Sequence, residues 1–412
     1  MNSVNPPYFN IIVPTRNRVD TLYFCLQSLL SQSYPNFSIT VSDNCSSDAT
    51  RQVSEGFNDR RLRYVATGKP VSMRENWEFA LSHVNGGWVG IVGDDDGLIP
   101  GALERVAEVI DETGLSAVTS SWCRFTWPGP LAHASKLVLP MSRGFEIRKS
   151  QRWRKKVLSG GWRYIELPYI YTGGFVDYRV IKEALAKRSN FFNSVIPDVY
   201  SAFAISFLVD KYAYVKEPVA IRGTSTHSTG ASSFNGSFND TPGQDFMTQN
   251  ADALHPVLRD QKIPISERLF VHEAYLQAAF LGGTSEAQAA TADLGRQLRI
   301  VAALSQRAGR RDVKSYCKRI LKRSGAKSGP ILARLWALIV RPLYFLNEIR
   351  RVLDSALVDT APLGVNDVYA AALLARDIQE TERSRRFRRV RRIWSTARIY
   401  RRPRKSVSGH AG

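Results

Sequence analysis

Asp94, Asp95 and Asp96 follow directly on an apolar run, in the stretch GWVGIVGDDDGLIPGAL from Gly87 to Leu103. Adjacent carboxylates repel, and burying one without a partner is expensive. Three in succession therefore face open water or hold something positive. A hard divalent cation, Mg²⁺ or Mn²⁺, suits two neighbouring carboxylates because it prefers oxygen ligands and shares them with substrate phosphates. Such an ion cancels the repulsion and neutralises charge on a leaving diphosphate. The bland alternative is an acidic surface turn. A buried-strand pattern before the triplet and GLIPGAL after it argue for the site.

Asp43 closes the apolar run FSITVSD. It either caps the next helix or closes a turn, or it serves as the acidic residue that reads a ribose or base in nucleotide-binding α/β folds. No GxGxxG follows the first apolar run, and no GxxxxGK with Ser or Thr occurs anywhere. A dinucleotide-binding dehydrogenase and a P-loop enzyme are disfavoured. A diphosphate held without a glycine cradle needs a metal, which the aspartates offer.

These residues need elements to position them. FNIIVP (Phe9 to Pro14) reads as a buried strand, and DTLYFCLQSLLSQ (Asp20 to Gln32) as a helix with Asp20 at its N-cap. FSITVSD, LRYVAT and GWVGIVG read as further strands. Between them SSDATRQVSEGF and MRENWEFALSHV read as helices, and PGALERVAEVIDE is a helix opened by Pro100. This alternation predicts a mostly parallel sheet covered by helices, with the ligand beyond the carboxyl ends of its strands. Pro14, Thr15, Asp43 and Asp94 to Asp96 all fall at those ends and should share one crevice. Residues 122–172 read as an insertion with a few strands, followed by the helices DYRVIKEALAKR and PDVYSAFAISFLV, the latter headed by Asp198. YAYVKEPVAIRG reads as a strand pair, and the Gly-, Ser- and Thr-rich segment from Gly223 to Asp245 as a loop. Beyond it the patterns are helical.

At 412 residues, 44% hydrophobic and 10% aromatic, the chain is globular and long enough for two or three domains. Cys25, Cys45, Cys123 and Cys317 are scattered without metal-binding or paired spacing, which fits a reducing compartment. The opening MNSVNPPYFN lacks a secretory pattern, and ILARLWALIVRPLYFL is interrupted by Arg334, Arg341 and Pro342, so a spanning helix is not expected. The net charge of +20 is concentrated: residues 307–412 hold 26 Lys and Arg against 8 Asp and Glu.

IIVPTRNR, VSDNCSSDAT, MRENWEFAL and VGIVGDDDGLIPGAL, in that order, resemble the N-terminal half of the family 2 glycosyltransferases over about residues 8–115, and more weakly through PDVYSA and GTSTHSTGA to about 235. The resemblance implies an α/β GT-A fold, a Rossmann-like mostly parallel sheet with flanking helices, followed by a helical, basic C-terminal region. The expected domains are a GT-A domain over 1–240, a helical region over 241–330 and a basic amphipathic helical tail over 331–412. The implied enzyme moves a sugar with inversion from a nucleotide-diphosphate donor, usually a UDP-sugar, to a hydroxyl of a lipid-linked or cell-surface glycan. By the same resemblance Pro14 and Thr15 touch the nucleotide, Asp43 accepts from the base, and Arg74 and Asn76 lie in the donor site. Asp94 and Asp96 are the favoured metal ligands, Asp95 lying close behind in the donor site. Gly93 stands where the family more often has an acidic residue, so which two carboxylates face the metal stays open. Asp198 resembles the general base; as a residue, it is equally a helix N-cap after Pro197. His227 completes the metal site or stays an exposed loop residue. Trp153, Trp162, Tyr164, Tyr169 and Tyr171 stack on an acceptor sugar or simply pack the insertion.

The segment from Arg383 to Lys405 interleaves arginines with Phe387, Val390, Ile393 and Trp394 at helical spacing, the pattern of a helix lying on an anionic membrane. The expected location is cytoplasmic, peripheral at the inner face of the plasma membrane. A partner protein is the next reading, and nucleic acid is disfavoured. Two rival functions remain: a sugar-phosphate nucleotidyltransferase, which needs a glycine loop that VPTRNR lacks, and a non-catalytic protein that binds nucleotide sugar or nucleic acid.

Overall fold

The computed structural model describes residues 6–131, 133–226, 228, 249–260, 262–305, 309–325 and 330–384. His227 and the arginine-rich segment from residue 385 onward lie outside the described residues.

Apolar stretches alternate with amphipathic ones early in the chain, and it folds accordingly. The first elements are β1 (Phe9–Thr15), α1 (Val19–Leu30), β2 (Phe37–Asp43), α2 (Thr50–Gly56) and β3 (Leu62–Ala66). They are followed by α3 (Met73–Leu81), β4 (Trp88–Ile91), a short β5 (Gly97–Leu98) and α4 (Ala102–Thr113). β3, β2, β1 and β4 are parallel neighbours in that order, and the β1–β2 register ends with Thr15 opposite Asp43. Successive strand side chains alternate between faces. Ile11 and Val13 therefore pack with Leu22 and Leu26 of α1 and Leu103 of α4, while Ile12 packs with Trp77 and Leu81 of α3. α1 starts one residue before Asp20, so Asp20 lies in its first turn and is not the cap. The orphan N–H of Val19 is satisfied from a distance, by Asp48 Oδ2 at 3.0 Å.

Further along come β6 (Ala117–Thr126), β7 (Lys136–Pro140), β8 (Phe145–Lys149), α5 (Ser150–Leu158), β9 (Gly174–Asp177), α6 (Tyr178–Leu185), α7 (Pro197–Leu208) and β10 (Lys211–Thr224). β9 runs antiparallel between β4 and β6, making the sheet mixed. Where a strand pair is expected over YAYVKEPVAIRG, the chain forms one strand, β10, whose register against β6 shifts between Val215 and Ala220. Pro218 lies inside that shift and has no N–H for a ladder, so a bulge replaces the turn.

The later helices are α8 (Glu267–Ala278), α9 (Thr284–Ala292), α10 (Leu294–Leu304), α11 (Arg310–Ser324) and α12 (Pro330–Leu353). Helix was expected from there onward, yet β11 (Ser355–Asp359) pairs antiparallel with β7 and covers its free edge. α13 (Val368–Ser384) then lays Val368, Ala371, Ala372 and Ala375, an i, i+3, i+4, i+7 stripe, on Phe125, Leu137 and Ile221. The mostly parallel, helix-flanked sheet with a helical C-terminal region is as expected; the region from residue 331 to 384 is in part built into that sheet.

α12 is amphipathic in the reverse sense. Asn347 is buried and donates to the Gly161 carbonyl at 3.0 Å, and Arg351 on the same face pairs with Glu166. Leu338, Ile339, Phe345, Leu346, Val352 and Leu353 are between 54% and 71% exposed. No helix among the described residues is long and apolar enough to cross a membrane.

Candidate active site

The carboxyl end of β4 delivers Asp94, Asp95 and Asp96 into the protein, not onto its surface: they are 3%, 5% and 1% exposed. Each has its own partners. Arg18, at the start of α1, donates from Nη1 to Asp94 Oδ1 at 3.0 Å. Ser225 donates to Asp95 Oδ2 at 2.8 Å, and the Ser228 hydroxyl bonds the same oxygen. Asp96 Oδ1 accepts from the Gly223 backbone N–H at 2.7 Å, and its Oδ2 accepts from the Thr172 hydroxyl. Burial pushes Asp96 up to about 7, reinforced by Asp95 and opposed by Arg222, Thr172 and Gly223. Asp94 is also raised by burial, with Arg18 pulling it back. The raised values record negative charge crowded out of water, an environment that favours a bound cation.

Asp198 lies within the same charge network. Ile196 is the N-cap of α7 and Pro197 its first residue, and no side chain caps that end, so the capping reading of Asp198 does not hold. Its Oδ2 instead accepts from the Tyr164 hydroxyl at 2.7 Å and lies 3.5 Å from Arg222 Nη2. Arg222 projects from β10 over the rings of Trp122 and Tyr171, each 5.1 Å away. Desolvation lowers its pKa, but Tyr164, Tyr171, Asp198 and Asp96 together raise it well above the ordinary value. One guanidinium thus contacts Asp198 and is attracted by Asp96 of the triplet. The segment between α6 and α7 is held by Glu78 of α3, which accepts from the Phe191 and Phe192 N–H groups at 3.0 and 2.9 Å.

The remaining sequence-derived residues flank this centre. Thr15 and Asp43 are opposite each other at the ends of β1 and β2, with Pro14 one residue earlier. Asp43 is buried, accepting from Ser46 through Oδ1 and from the Tyr64 hydroxyl at 2.6 Å through Oδ2. Asn76 is turned onto β2, its Oδ1 accepting from Ser42 Oγ at 2.7 Å and its Nδ2 donating to the Ser42 carbonyl at 3.2 Å. It thereby anchors the strand end that carries Asp43. Its neighbour Arg74 pairs with Asp252 at 3.1 Å and keeps a buried Nε without a partner among the described residues. The aromatic cluster divides: Trp153 and Tyr169 are core, Tyr164 holds Asp198, and Tyr171 stacks on Trp77 at 5.4 Å.

Residues 10–170 match the model of the family described as Glycosyl transferase family 2. The chain carries a family 2 glycosyltransferase domain. It is similar to the Campylobacter jejuni protein named GalNAc(5)-diNAcBac-PP-undecaprenol beta-1,3-glucosyltransferase, 31% identical over 112 residues that make up 26% of this chain and 35% of that protein. It is also similar to the succinoglycan biosynthesis protein ExoO of Rhizobium meliloti, 26% identical over 117 residues, 27% of this chain and 34% of that one. The chain thus spans about a third of the length of these curated relatives. Among solved structures, S. aureus TarS 1-349 in complex with UDP-GlcNAc superposes with a TM-score of 0.47 at 16% identity, covering 84% of this chain and 92% of that one.

Within this family 2 domain, the glycine at position 93 has a steric cause. A Cβ there would lie 2.5 Å from the Tyr171 hydroxyl oxygen and 2.9 Å from Asp96 Oδ2, so no side chain fits. The acidic character falls instead on the three residues that follow. They suit Mg²⁺ or Mn²⁺ by donor chemistry: hard, buried carboxylate oxygens, raised in pKa at Asp94 and Asp96 and balanced by two arginines. No group of three or more His, Cys, Asp or Glu side chains among the described residues is arranged to chelate a metal by itself. Mg²⁺-type ions are usually held by one or two protein carboxylates beside substrate phosphates. Arg18, Thr172, Arg222, Ser225 and Ser228 escaped the sequence reading as site residues. Arg222 left a trace there, as a lone cation inside the apolar run VAIRG.

Proposed function

We propose that this protein is an inverting glycosyltransferase that moves a sugar from a nucleotide-diphosphate donor to a hydroxyl of a glycan acceptor carried on a lipid or a growing polysaccharide. The observation that carries the proposal is the placement of three buried carboxylates at the carboxyl end of β4, with Arg222 paired to Asp198 and drawn electrostatically by Asp96. In this reading the acceptor oxygen forms a bond to the donor's anomeric carbon as the bond from that carbon to the diphosphate breaks. The diphosphate leaves with the electron pair, and Asp198 takes the acceptor's proton. Tyr164 and Arg222 fix the orientation of the Asp198 carboxylate so that it meets that proton within hydrogen-bond reach. Asp94 and Asp96 would hold the divalent ion, which when bound neutralises diphosphate charge. Arg74 and Asp43 flank the nucleotide.

The lipid-linked acceptor is supported by the name of the C. jejuni relative, which gives a PP-undecaprenol glycan before the word glucosyltransferase. It is supported also by α12, whose exposed apolar face suits the interface of a bilayer, and by the arginine-rich segment that follows. The default donor is a UDP-sugar, as in most of the family.

The test is release of nucleoside diphosphate from UDP-glucose, UDP-galactose, UDP-N-acetylglucosamine and GDP-mannose, with Mn²⁺ or with EDTA. Metal-dependent turnover of at least one donor, lost in Asp96→Ala, is expected. Absence of both binding and turnover for all four would overturn the reading.

A further inference from the structure

Cys123 and Phe125 of β6, Leu137 and Leu139 of β7 and Ile221 of β10 are buried together in the cluster covered by α13. Side chains alternate along a strand, so Arg222, Arg124 and Val138 lie on the opposite face of the sheet, where Arg222 meets Asp198. The strand register sets them in one row. Arg222 lies beside Arg124, Arg124 opposite Val138, and Val138 opposite Leu357 of β11. Neighbouring strands are about 4.8 Å apart, so the row spans roughly 14 Å from β10 to β11. On its other side β10 pairs with Gly97 and Leu98 of β5, which follow the aspartate triplet directly. The row therefore leads from Asp198 away from the triplet.

Its chemistry changes along the way. At the near end Arg222 Nη2 is 3.5 Å from Asp198. Next comes Arg124, which is exposed and has no hydrogen bond or ion pair from its side chain among the described residues. The protein around its guanidinium, and then the charge of Arg163, lower its pKa. Glu348 opposes them but is itself paired with Arg351 at 2.6 Å. Arg163 is half-buried, likewise without an ion pair among the described residues, and precedes Tyr164, whose hydroxyl donates to Asp198. Two guanidinium groups that repel each other thus flank Asp198 with no carboxylate of their own, and their planar forks match phosphate oxygens. The far end is apolar: Val138 is half-buried, Leu357 is 62% exposed, and β11 follows directly on α12 with its outward apolar side chains.

We propose that this row is an acceptor track for a glycan joined through a diphosphate to a lipid chain: the sugar at Asp198, the diphosphate on Arg124 and Arg163, and the start of the chain on Val138 and Leu357. Sugar, anion and hydrocarbon follow one another in such a molecule in the order in which the row presents a carboxylate, cations and apolar side chains. The proposal rests on the transferase reading for the role of the sugar end; the anion and chain contacts stand without it.

The experiment is calorimetric titration of the full chain with farnesyl diphosphate, with farnesol and with inorganic pyrophosphate, in EDTA so that no metal links a diphosphate to the aspartates. Farnesyl diphosphate should bind, and the other two about tenfold more weakly or worse, since each keeps one half of the match. Arg124→Ala and Arg163→Ala should each weaken its binding by roughly 10- to 100-fold, the loss expected for a hydrogen bond between charged groups. Leu357→Glu should weaken it by about tenfold through the lost chain contact. Melting curves establish that each variant is folded, and where one is not, the other two decide. No binding of farnesyl diphosphate, binding that any folded variant leaves unchanged, or equally tight binding of pyrophosphate or farnesol overturns the track. Donor turnover alongside any of those results removes the track and leaves the transferase. Binding that depends on Arg124 and Leu357, with no turnover of any donor, keeps the track and removes the transferase reading.

Discussion

If α12 seats the protein on a membrane, two of its outward residues should carry much of the affinity. Phe345 and Leu346 are 64% and 54% exposed, while their neighbour Asn347 is turned inward onto Gly161. Fully burying a side chain of this size is worth about 1.5–3 kcal/mol, so at these exposures the pair should contribute roughly 2–3 kcal/mol on entering the acyl boundary. Replacing both with Glu should lower the partition coefficient by about 30- to 150-fold, with charge repulsion from anionic lipid adding to the loss. The fold should tolerate the change, because exposed substitutions away from caps and networks usually fall within about 0.5 kcal/mol. The assay is co-sedimentation of wild type and Phe345→Glu/Leu346→Glu with vesicles of phosphatidylcholine alone or mixed with phosphatidylglycerol. The wild type should prefer the mixture, because residues 385–412 carry eleven Lys and Arg and no acid, each cation near an anionic surface being worth about 1 kcal/mol. High salt should weaken the electrostatic share and leave the α12 share in place. A double variant that sediments with mixed vesicles as fully as the wild type would refute the role of α12.

Asp198→Asn keeps the shape of the side chain and removes its basicity, so glycosyl transfer should fall by roughly 10²- to 10⁴-fold; the melting temperature should fall as well, because Arg222 loses its charged partner, and full activity in a transfer assay would exclude Asp198 as the base. Gly93→Ala places a methyl 2.5 Å from the Tyr171 hydroxyl, and such overpacking costs about 1–3 kcal/mol. Its melting temperature and donor turnover should both drop, and a variant equal to wild type in both would contradict the packing described for the triplet. His272 gives a pH signature. Its folded pKa, about 3, lies below the ordinary 6.5, so its contribution is intact above pH 6.5 and is lost as the pH falls and the unfolded chain takes up a proton. The loss is roughly 2 kcal/mol between pH 6.5 and pH 5, at about 1.4 kcal/mol per unit. Glu273, raised by burial from 4.5 to about 7, runs the other way, being stabilising at low pH and losing that contribution as pH rises toward 7. Urea midpoints of wild type and His272→Gln at pH 7 and pH 5 isolate the histidine, and parallel pH dependences in the two proteins would show that it is not buried neutral.

The parallel half of the sheet was legible because its signals are local. FNIIVPT and FSITVSD are strands buried on both faces, and the residues that end them fall at the same edge whatever the later chain does. The three aspartates could be placed at that edge for the same reason. Their partners were not legible, because Thr172, Gly223 and Ser225 lie 76, 127 and 130 positions from the aspartates they bond. Only the antiparallel return of β9 and the bent course of β10 bring them there. β11 was missed on similar grounds: SALVD is short, follows a long helix, and becomes a strand because β7 offers it an edge. Pro218 signalled a break in YAYVKEPVAIRG. A bulge and a turn are the two ways to accommodate a proline there, and the continued pairing of residues 220–224 with β6 selects the bulge.

α12 carries two kinds of surface. Tyr344 takes the Arg268 guanidinium over its ring at 4.8 Å, and Phe345, the next residue, faces outward, so one turn of helix carries both an inward contact and part of the apolar ridge. Asn347 and Arg351, a turn and two turns beyond, tie this helix to Gly161 and Glu166, on either side of Tyr164. A bilayer that takes up Phe345 and Leu346, as proposed, would therefore act on the segment that holds Tyr164, and through the Tyr164 hydroxyl on the orientation of Asp198. The polar inward face of α12 and its apolar outward face would then be two requirements of one arrangement: the inner face fixes the segment beside Asp198, and the outer face would set that segment against the lipid surface.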